Sequence, residues 1–443
     1  MSTLSRRQLF LTAAAALLPR VARSANPIVR SARPEDLEMP LDAFLEWITP
    51  VDQFFVRSHV YAPQVELTDW SLKIDGIVNQ PLTLSMADLK KLPRVETVGV
   101  LECAGNGRSF YEPHMAGAQW KFGAVGNGRW AGVRLRDLLQ KAGVKEGAKE
   151  VLFDGADVPL GKMPDFQRTI TLEKCLHPDT LLVYEQNGQP LTPAHGFPLR
   201  VMAPGWAGDS WVKWLTHIQV LDHEFDGFWM KTAYRHPAKP VAPGTAVDPK
   251  DMIPVSDLNV KSVIASPDAW AAPGKVKVQG AAWSNASAVA KVEVSIDGGQ
   301  SWKNARLSGP KTKYGWRLWT HDWQAAPGDY KLIARATNEA SVSQPLSQEW
   351  NPSGYLWNVA QHRTVTISNQ HVTTPAESMP EATQPAGYKA ACMACHDEGM
   401  MRQQRLTQAQ WDRELNKMTG WGASMSPEQR AAILDYLTAQ FHP

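Results

Sequence analysis

The spacing of apolar positions changes character along this chain. Trp70-Ser71-Leu72-Lys73-Ile74-Asp75-Gly76 alternates with the two-residue period of a half-buried strand and runs into a turn. Ser85 to Leu92 suits a short helix with Ser85 as its cap. Val133-Arg134-Leu135-Arg136-Asp137-Leu138-Leu139 has helical spacing and stops near Gly143. Over residues 26–250 short strands and helices mix without a long βαβ alternation, which predicts one α+β domain.

Strand periodicity takes over at 256–368. Val276 and Val278 alternate with polar partners, as do Val292, Val294 and Ile296, which lead into a hairpin turn at Asp297-Gly298-Gly299. Tyr330, Leu332 and Ala334 repeat the pattern, and so do Val365 and Ile367. Several such strands within this span predict an immunoglobulin-like β-sandwich. Residues 371–385 have no apolar period and are rich in Thr, Pro and Glu, the composition of a flexible linker.

Residues 386–443 return to helical spacing. Thr407 with Gln410 forms a capping box, and Ser426-Pro427-Glu428-Gln429 opens a second helix with proline at its first position. Trp411, Leu415 and Met418 share a face of the first helix, and Ile433, Leu434 and Leu437 form the stripe of the second. A segment this short builds too small a core to fold unaided and needs a further cross-link or group at its centre.

Its chemistry supplies that group. In Cys392-Met393-Ala394-Cys395-His396, two thiols two residues apart can add to both vinyl groups of a haem, and the adjacent histidine can ligate the iron. Zinc would need a second Cys/His pair nearby, whereas the only other cysteines are Cys103 and Cys175. The segment is therefore expected to be a small all-α cytochrome c domain holding haem c. Its second axial ligand is expected to be Met418, by helix face, with Met425 as the alternative.

At the other end, Ser5-Arg6-Arg7-Gln8-Leu9-Phe10-Leu11 precedes an apolar run to Leu18 and small residues at Ala22, Ser24 and Ala25. This reads as a twin-arginine signal peptide over 1–25 and predicts export, already folded, to the periplasm. Haem c is attached outside the cytoplasm, so a chain with both signals is expected to take up another cofactor before export. Composition adds exclusions. The 443 residues carry a net charge of +2 and no block of like charge that would mark a nucleic-acid binder. No second apolar stretch reaches bilayer-spanning length. Cys103 and Cys175 are able to form at most one disulfide.

Leu101-Glu102-Cys103-Ala104-Gly105-Asn106-Gly107-Arg108-Ser109 is the other chemical signal. A cysteine followed by glycines and an arginine lies on a loop that backbone lets a large ligand approach, with a cation to favour the thiolate. Taken alone, it fits a nucleophile or a metal thiolate equally well. Together with Phe55-Val56-Arg57-Ser58-His59, Arg129-Trp130-Ala131-Gly132-Val133-Arg134-Leu135, His195-Gly196-Phe197-Pro198-Leu199-Arg200 and Val212-Lys213-Trp214-Leu215, this loop resembles the sulfite oxidase family of molybdenum enzymes. The resemblance covers most of residues 45–368. Its sandwich, including Val294-Ser295-Ile296-Asp297-Gly298-Gly299-Gln300-Ser301-Trp302, is similar to that family's dimerisation domain, which implies a homodimer. The haem segment lies outside it.

The resemblance implies that Cys103 gives its thiolate to molybdenum, a soft donor on a high-valent metal. It implies that His59, Asp157, His195, Arg200 and Lys213 hold the phosphate and rings of molybdopterin. Arg57, Arg108 and Arg363 would bind a small dianion, with Tyr234 and Trp120 beside them. The implied activity is oxidation of sulfite to sulfate by oxygen-atom transfer, with electrons leaving singly through the haem to a soluble cytochrome c or similar acceptor. Two other readings stay open: a sulfane dehydrogenase-like subunit acting on carrier-bound sulfur, and a non-catalytic haem electron-transfer protein.

Overall fold

The computed structural model describes residues 26–347, 349–371 and 383–443. The expected export signal and most of the expected linker lie outside the described residues. Two layers of strands, the first antiparallel and the second mixed, build the first unit. Val95–Glu102 pairs with Val125–Arg134, which pairs with Leu181–Gln186, itself flanked by Gln189–Pro190 and Arg200–Met202. The second sheet runs Leu82–Leu84, Leu72–Gly76, Leu215–Leu221, Glu150–Gly155, Arg168–Thr171. Within it Leu72–Gly76 and Leu215–Leu221 are parallel and their other neighbours antiparallel. Trp130, Leu138, Leu182, Val201 and Ile218 are buried in one core that joins the two sheets.

Local sequence explains the helices here. Ser85 Oγ accepts from the Asp88 N–H and the Asp88 carboxylate accepts from the Ser85 N–H, closing a capping box on Met86–Lys90. Leu135–Ala142 stops at Gly143, whose φ of 68° is a left-handed conformation that glycine adopts freely.

A two-sheet sandwich follows. One sheet is ordered Lys261–Ser266, Gly274–Trp283, Arg317–Ala325, Arg306–Ser308. The other is ordered Trp270–Ala271, Gln361–Ile367, Gly328–Asn338, Val289–Ser295, Lys303–Asn304. The alternating residues Val276, Val278, Val292, Val294, Leu332, Ala334, Val365 and Ile367 all face the core between them. The turn at Asp297 is wider than the tight hairpin the sequence suggests, since Val289–Ser295 next pairs with Lys303–Asn304. Asp297 organises that connection, accepting hydrogen bonds from Ser295 Oγ, the Ser301 N–H and Ser301 Oγ.

A second core spans the first unit and the sandwich, joining Phe44, Val100, Val125 and Trp229 to Val263, Trp283 and Trp316. The C-terminal segment carries helices Tyr388–Cys392, Gly399–Arg402, Gln408–Gly420 and Pro427–Gln440, with both expected capping boxes formed. It is seated on the first unit. Asp397 accepts hydrogen bonds from Ser31 Oγ (3.0 Å) and the Ala32 N–H (2.6 Å). The Gln119 N–H donates to Gln403 (2.7 Å), and Gln410 Nε2 donates to the His114 carbonyl (2.7 Å). No helix among the described residues is long and apolar enough to cross a membrane.

Candidate active site

Strand Val95–Glu102 delivers Cys103 to the wall of a cleft that is partly open to solvent. The residue before it is anchored. Glu102 is buried, pairs with Lys261 Nζ at 2.5 Å, and accepts from Trp283 Nε1 (2.7 Å) and Asn106 Nδ2 (2.9 Å). Lys261 and Trp283 belong to the sandwich, so the Cys103 loop is fixed by two units at once. The Cys103 N–H donates to the Ala124 carbonyl and its own carbonyl accepts from the Asn106 N–H, both at 2.9 Å.

Arg57, His59, Cys103, Asp157, His195, Arg200, Lys213 and Tyr234, separated along the sequence, all line this one cleft. Arg57 Nη1 is 3.2 Å from the buried Asp36 carboxylate. Lys213 Nζ donates to Ser58 Oγ (2.8 Å) and the Ala194 carbonyl (3.0 Å). Arg200 donates to the carbonyls of His195 (2.8 Å) and Trp211 (3.0 Å). The Tyr234 hydroxyl lies 3.0 Å from His59 Nε2.

Burial dominates the electrostatics. It lowers Lys213 to about 7, Arg200 to about 9 and His195 to about 3, and raises Asp157 to about 6. His59 falls well below its ordinary value, first through burial and then through Arg57, Lys213 and other cations, so its ring is neutral. Burial also raises Cys103, against the pull of the Gly105 backbone, Arg108 and Arg57. A bound metal ion would reverse that and take the thiolate.

The donor set fits molybdopterin. Arg200 Nε, His195 Nε2 and Asp209 Oδ1 are buried without a hydrogen-bond partner, and all three residues face the cleft. Unpaired polar atoms in so enclosed a place are costly unless a ligand satisfies them. A phosphate-bearing heterocycle, rich in acceptors and donors, matches cations, a neutral imidazole and a carboxyl arranged around one thiol.

Three of the expected residues are elsewhere. Arg108 is buried behind the cleft wall; its guanidinium lies 5.0 Å over the Tyr355 ring, and Tyr355 stacks at 5.3 Å on Tyr234. The room for it comes from Gly117 (φ 121°), where a Cβ would lie 2.8 Å from Arg108 Nη1. Trp120 does not line the cleft; it is fully buried in the core of the first unit. Arg363 is corrected outright: it lies on strand Gln361–Ile367 of the sandwich, paired with Asp268 at 2.5 Å, and does not line the cleft.

Other residues of the site escape a reading of motifs. Asp209 faces the cleft, is paired with buried Arg168 at 2.5 Å, and is raised by burial to about 6. Arg168 also lies 5.2 Å over the Tyr234 ring. Neither residue sits in a recognisable motif, so no local signal announces them. Ser58 lies inside the Arg57–His59 motif and was available from it.

In the C-terminal segment, Cys392 closes helix Tyr388–Cys392, with Cys395 exposed and His396 next to it. Burial lowers His396 below its ordinary value, which leaves a neutral nitrogen to bind a metal. Cys392 and Met425 both pack against the segment's core of Tyr388, Trp411, Leu415, Ile433 and Leu437. Met418 is not part of that packing. Near His396, two thiols, an apolar cluster and a methionine suit a covalent haem. Among the described residues no group of three or more His, Cys, Asp or Glu is arranged to hold a metal ion.

A thiol-centred, cation-lined cleft beside a two-sheet unit defines a molybdopterin-dependent oxidoreductase. The family described as oxidoreductase molybdopterin binding domain matches residues 59–229, and the Mo-co oxidoreductase dimerisation domain matches residues 252–369. Sulfite oxidase of Gallus gallus is 35% identical over 354 residues, covering 76% of each chain. The mitochondrial sulfite oxidase of Macaca fascicularis is 36% identical over 355 residues, and the match spans 76% of this chain but only 64% of that protein. The chain belongs to the sulfite oxidase family. The crystal structure of the sulfane dehydrogenase SoxCD from Paracoccus pantotrophus superposes with a TM-score of 0.68 at 25% identity, over 83% of this chain and all of that one. Residues 383–443 lie outside both family matches.

Proposed function

We propose that this chain is a periplasmic sulfite dehydrogenase that passes electrons through its own haem c to an external cytochrome c. The observation that carries the reading is the meeting of Arg57, His59, Cys103 and Tyr234 in one cationic cleft. When bound, the molybdenum centre supplies the two-electron acceptor and the transferable oxygen that turn sulfite into sulfate. Cys103 holds it, and His59, Asp157, His195, Arg200 and Lys213 hold the pterin.

Sulfite is a small anion, and Arg57, kept charged against burial by Asp36, Tyr234 and Cys103, is the cation that meets it. Arg108 adds positive potential from behind Tyr355. Tyr234 binds and orients the substrate through its hydroxyl, and neutral His59 holds that hydroxyl in place by a hydrogen bond. Cys392, Cys395 and His396, with Met425 that packs on the same core as Cys392, would hold a haem that supplies one-electron transfer. Export by the twin-arginine route before haem attachment agrees with a cofactor fitted in the cytoplasm. The dimerisation-domain match supports a homodimer, and we read its sandwich as immunoglobulin-like.

A sulfane dehydrogenase acting on carrier-bound sulfur is the second reading, favoured by the SoxCD likeness. Purified protein containing molybdenum and haem, titrated with free sulfite, tests both. Rapid appearance of the ferrous haem spectrum is the expected result. Inertness toward sulfite, with reduction by a persulfide-bearing protein, would move the assignment to the second reading. Absence of molybdenum would leave only an electron-transfer protein.

A further inference from the structure

The C-terminal segment and the cleft are linked by aromatic rings. Trp421, in the loop after helix Gln408–Gly420, places its ring 6.3 Å from that of Trp229. Trp229 is buried and its ring centre is 4.4 Å from that of His59. His59 faces the cleft with Cys103 and meets the Tyr234 hydroxyl at 3.0 Å. Among the described residues, Trp421 is the aromatic of the C-terminal segment whose ring meets rings of the first unit.

The junction is built to hold that ring still. The Lys162 N–H donates to the Trp421 carbonyl at 2.8 Å. Gly161, with φ 60°, lies so close that a Cβ there would come within 2.6 Å of the same carbonyl oxygen. The Lys417 ammonium sits 5.6 Å from the centre of the Trp421 ring. On its other side, Trp421 is separated by a short loop from Met425, which packs on the same core as Cys392.

We propose that Trp421 and Trp229 form the electron bridge between the cleft and the haem segment, working from a fixed seat with no swing of the segment between two positions. The proposal rests on the haem reading above. Each passage moves one electron from the reduced molybdenum to the ferric haem iron; the metal is oxidised, the iron reduced, and no bond or proton moves in the rings. The rings serve as the medium, and neither tryptophan is itself oxidised. An external acceptor reoxidises the iron before the second electron follows.

The test uses holoprotein carrying Trp421→Leu or Trp421→Phe. Three readouts are taken: the covalent-haem spectrum, the molybdenum–haem distance by pulsed electron paramagnetic resonance, and the rate at which flash-reduced haem equilibrates with molybdenum. The expected result is that Trp421→Leu slows equilibration by roughly an order of magnitude while spectrum and distance stay as in the unmodified protein. Trp421→Phe restores much of the rate, and turnover with a small oxidant that reaches the metal directly is unchanged. An unchanged equilibration rate with haem intact overturns the bridge and leaves the haem reading standing. A slowed rate with a lengthened distance in both variants makes Trp421 a docking residue and also overturns it. Unmodified protein without covalent haem overturns the haem reading and the bridge together.

Discussion

The Tyr234 hydroxyl and His59 Nε2 lie 3.0 Å apart, although the residues are 175 positions apart in sequence. Burial keeps the imidazole neutral and pushes the phenol well above its ordinary value, so the proton of the hydroxyl stays on Tyr234 in a site of low polarity.

Tyr234→Phe keeps the ring, and with it the stacking on Tyr355, but deletes the hydroxyl. kcat for sulfite is expected to fall about a hundredfold, within the range of proton-transfer groups, with molybdenum content unchanged. Steady-state kinetics checks it, and an unaltered kcat removes the role of that hydroxyl.

Cys103→Ser is expected to abolish sulfite oxidation while the haem spectrum stays normal, because a whole sandwich separates the two segments in sequence. Near-native turnover would falsify the thiolate assignment.

Met425→Ala should erase a methionine–iron charge-transfer band and lower the haem potential, and Met418→Ala should do neither. Absorption spectra and redox titration distinguish them. The opposite pattern would return the ligand to the helix face.

Lys213 is lowered by burial from 10.5 to about 7. Between those values the unfolded chain binds the proton that the folded chain does not, so the cofactor-free protein gains stability as pH rises across that window. The gain is at most about 1.4 kcal/mol per pH unit. Lys213→Met should flatten this component. Thermal unfolding of both cofactor-free proteins at neutral and alkaline pH is the measurement, and parallel profiles would show that Lys213 keeps its proton.

Protein ending near Thr383 should still oxidise sulfite with a small direct oxidant but lose most turnover with cytochrome c. It will also bare the surface around Ala116 that the segment covers, so some loss of thermal stability is expected. Unimpaired cytochrome c turnover would take the segment off the electron path.

Much of this was legible in the sequence because local chemistry carried it. Capping boxes at Ser85, Thr407 and Ser426 are set within four residues, and the alternation at Val276 or Val292 needs only a buried face. Most cleft residues were found because they sit in compact motifs, whereas Asp157 and Tyr234 came from the family resemblance alone. Arg168 and Asp209 meet across 41 residues and carry no flanking pattern, so only the folded chain shows them. Arg363 misled because a short match says nothing of which way a strand faces, and here it turns to Asp268. Met418 shares the helix face of Trp411 and Leu415 but does not join their packing, because that face continues past the residues that reach the core. The segment's docking was invisible too, since a flexible linker composition does not reveal what its far end rests on.

The clasp of Asp397 with the Ser31 hydroxyl and the Ala32 N–H brings the first described strand against the segment that carries Cys392 and His396, with Arg33 donating to the Met393 carbonyl. Further back along the same strand, the Arg30 carbonyl accepts from Gln403 Nε2, so strand Ile28–Ala32 lies along the C-terminal segment. Disturbing that strand would therefore loosen the C-terminal segment along with the first unit, so the two ends of the described chain should lose their structure together on heating.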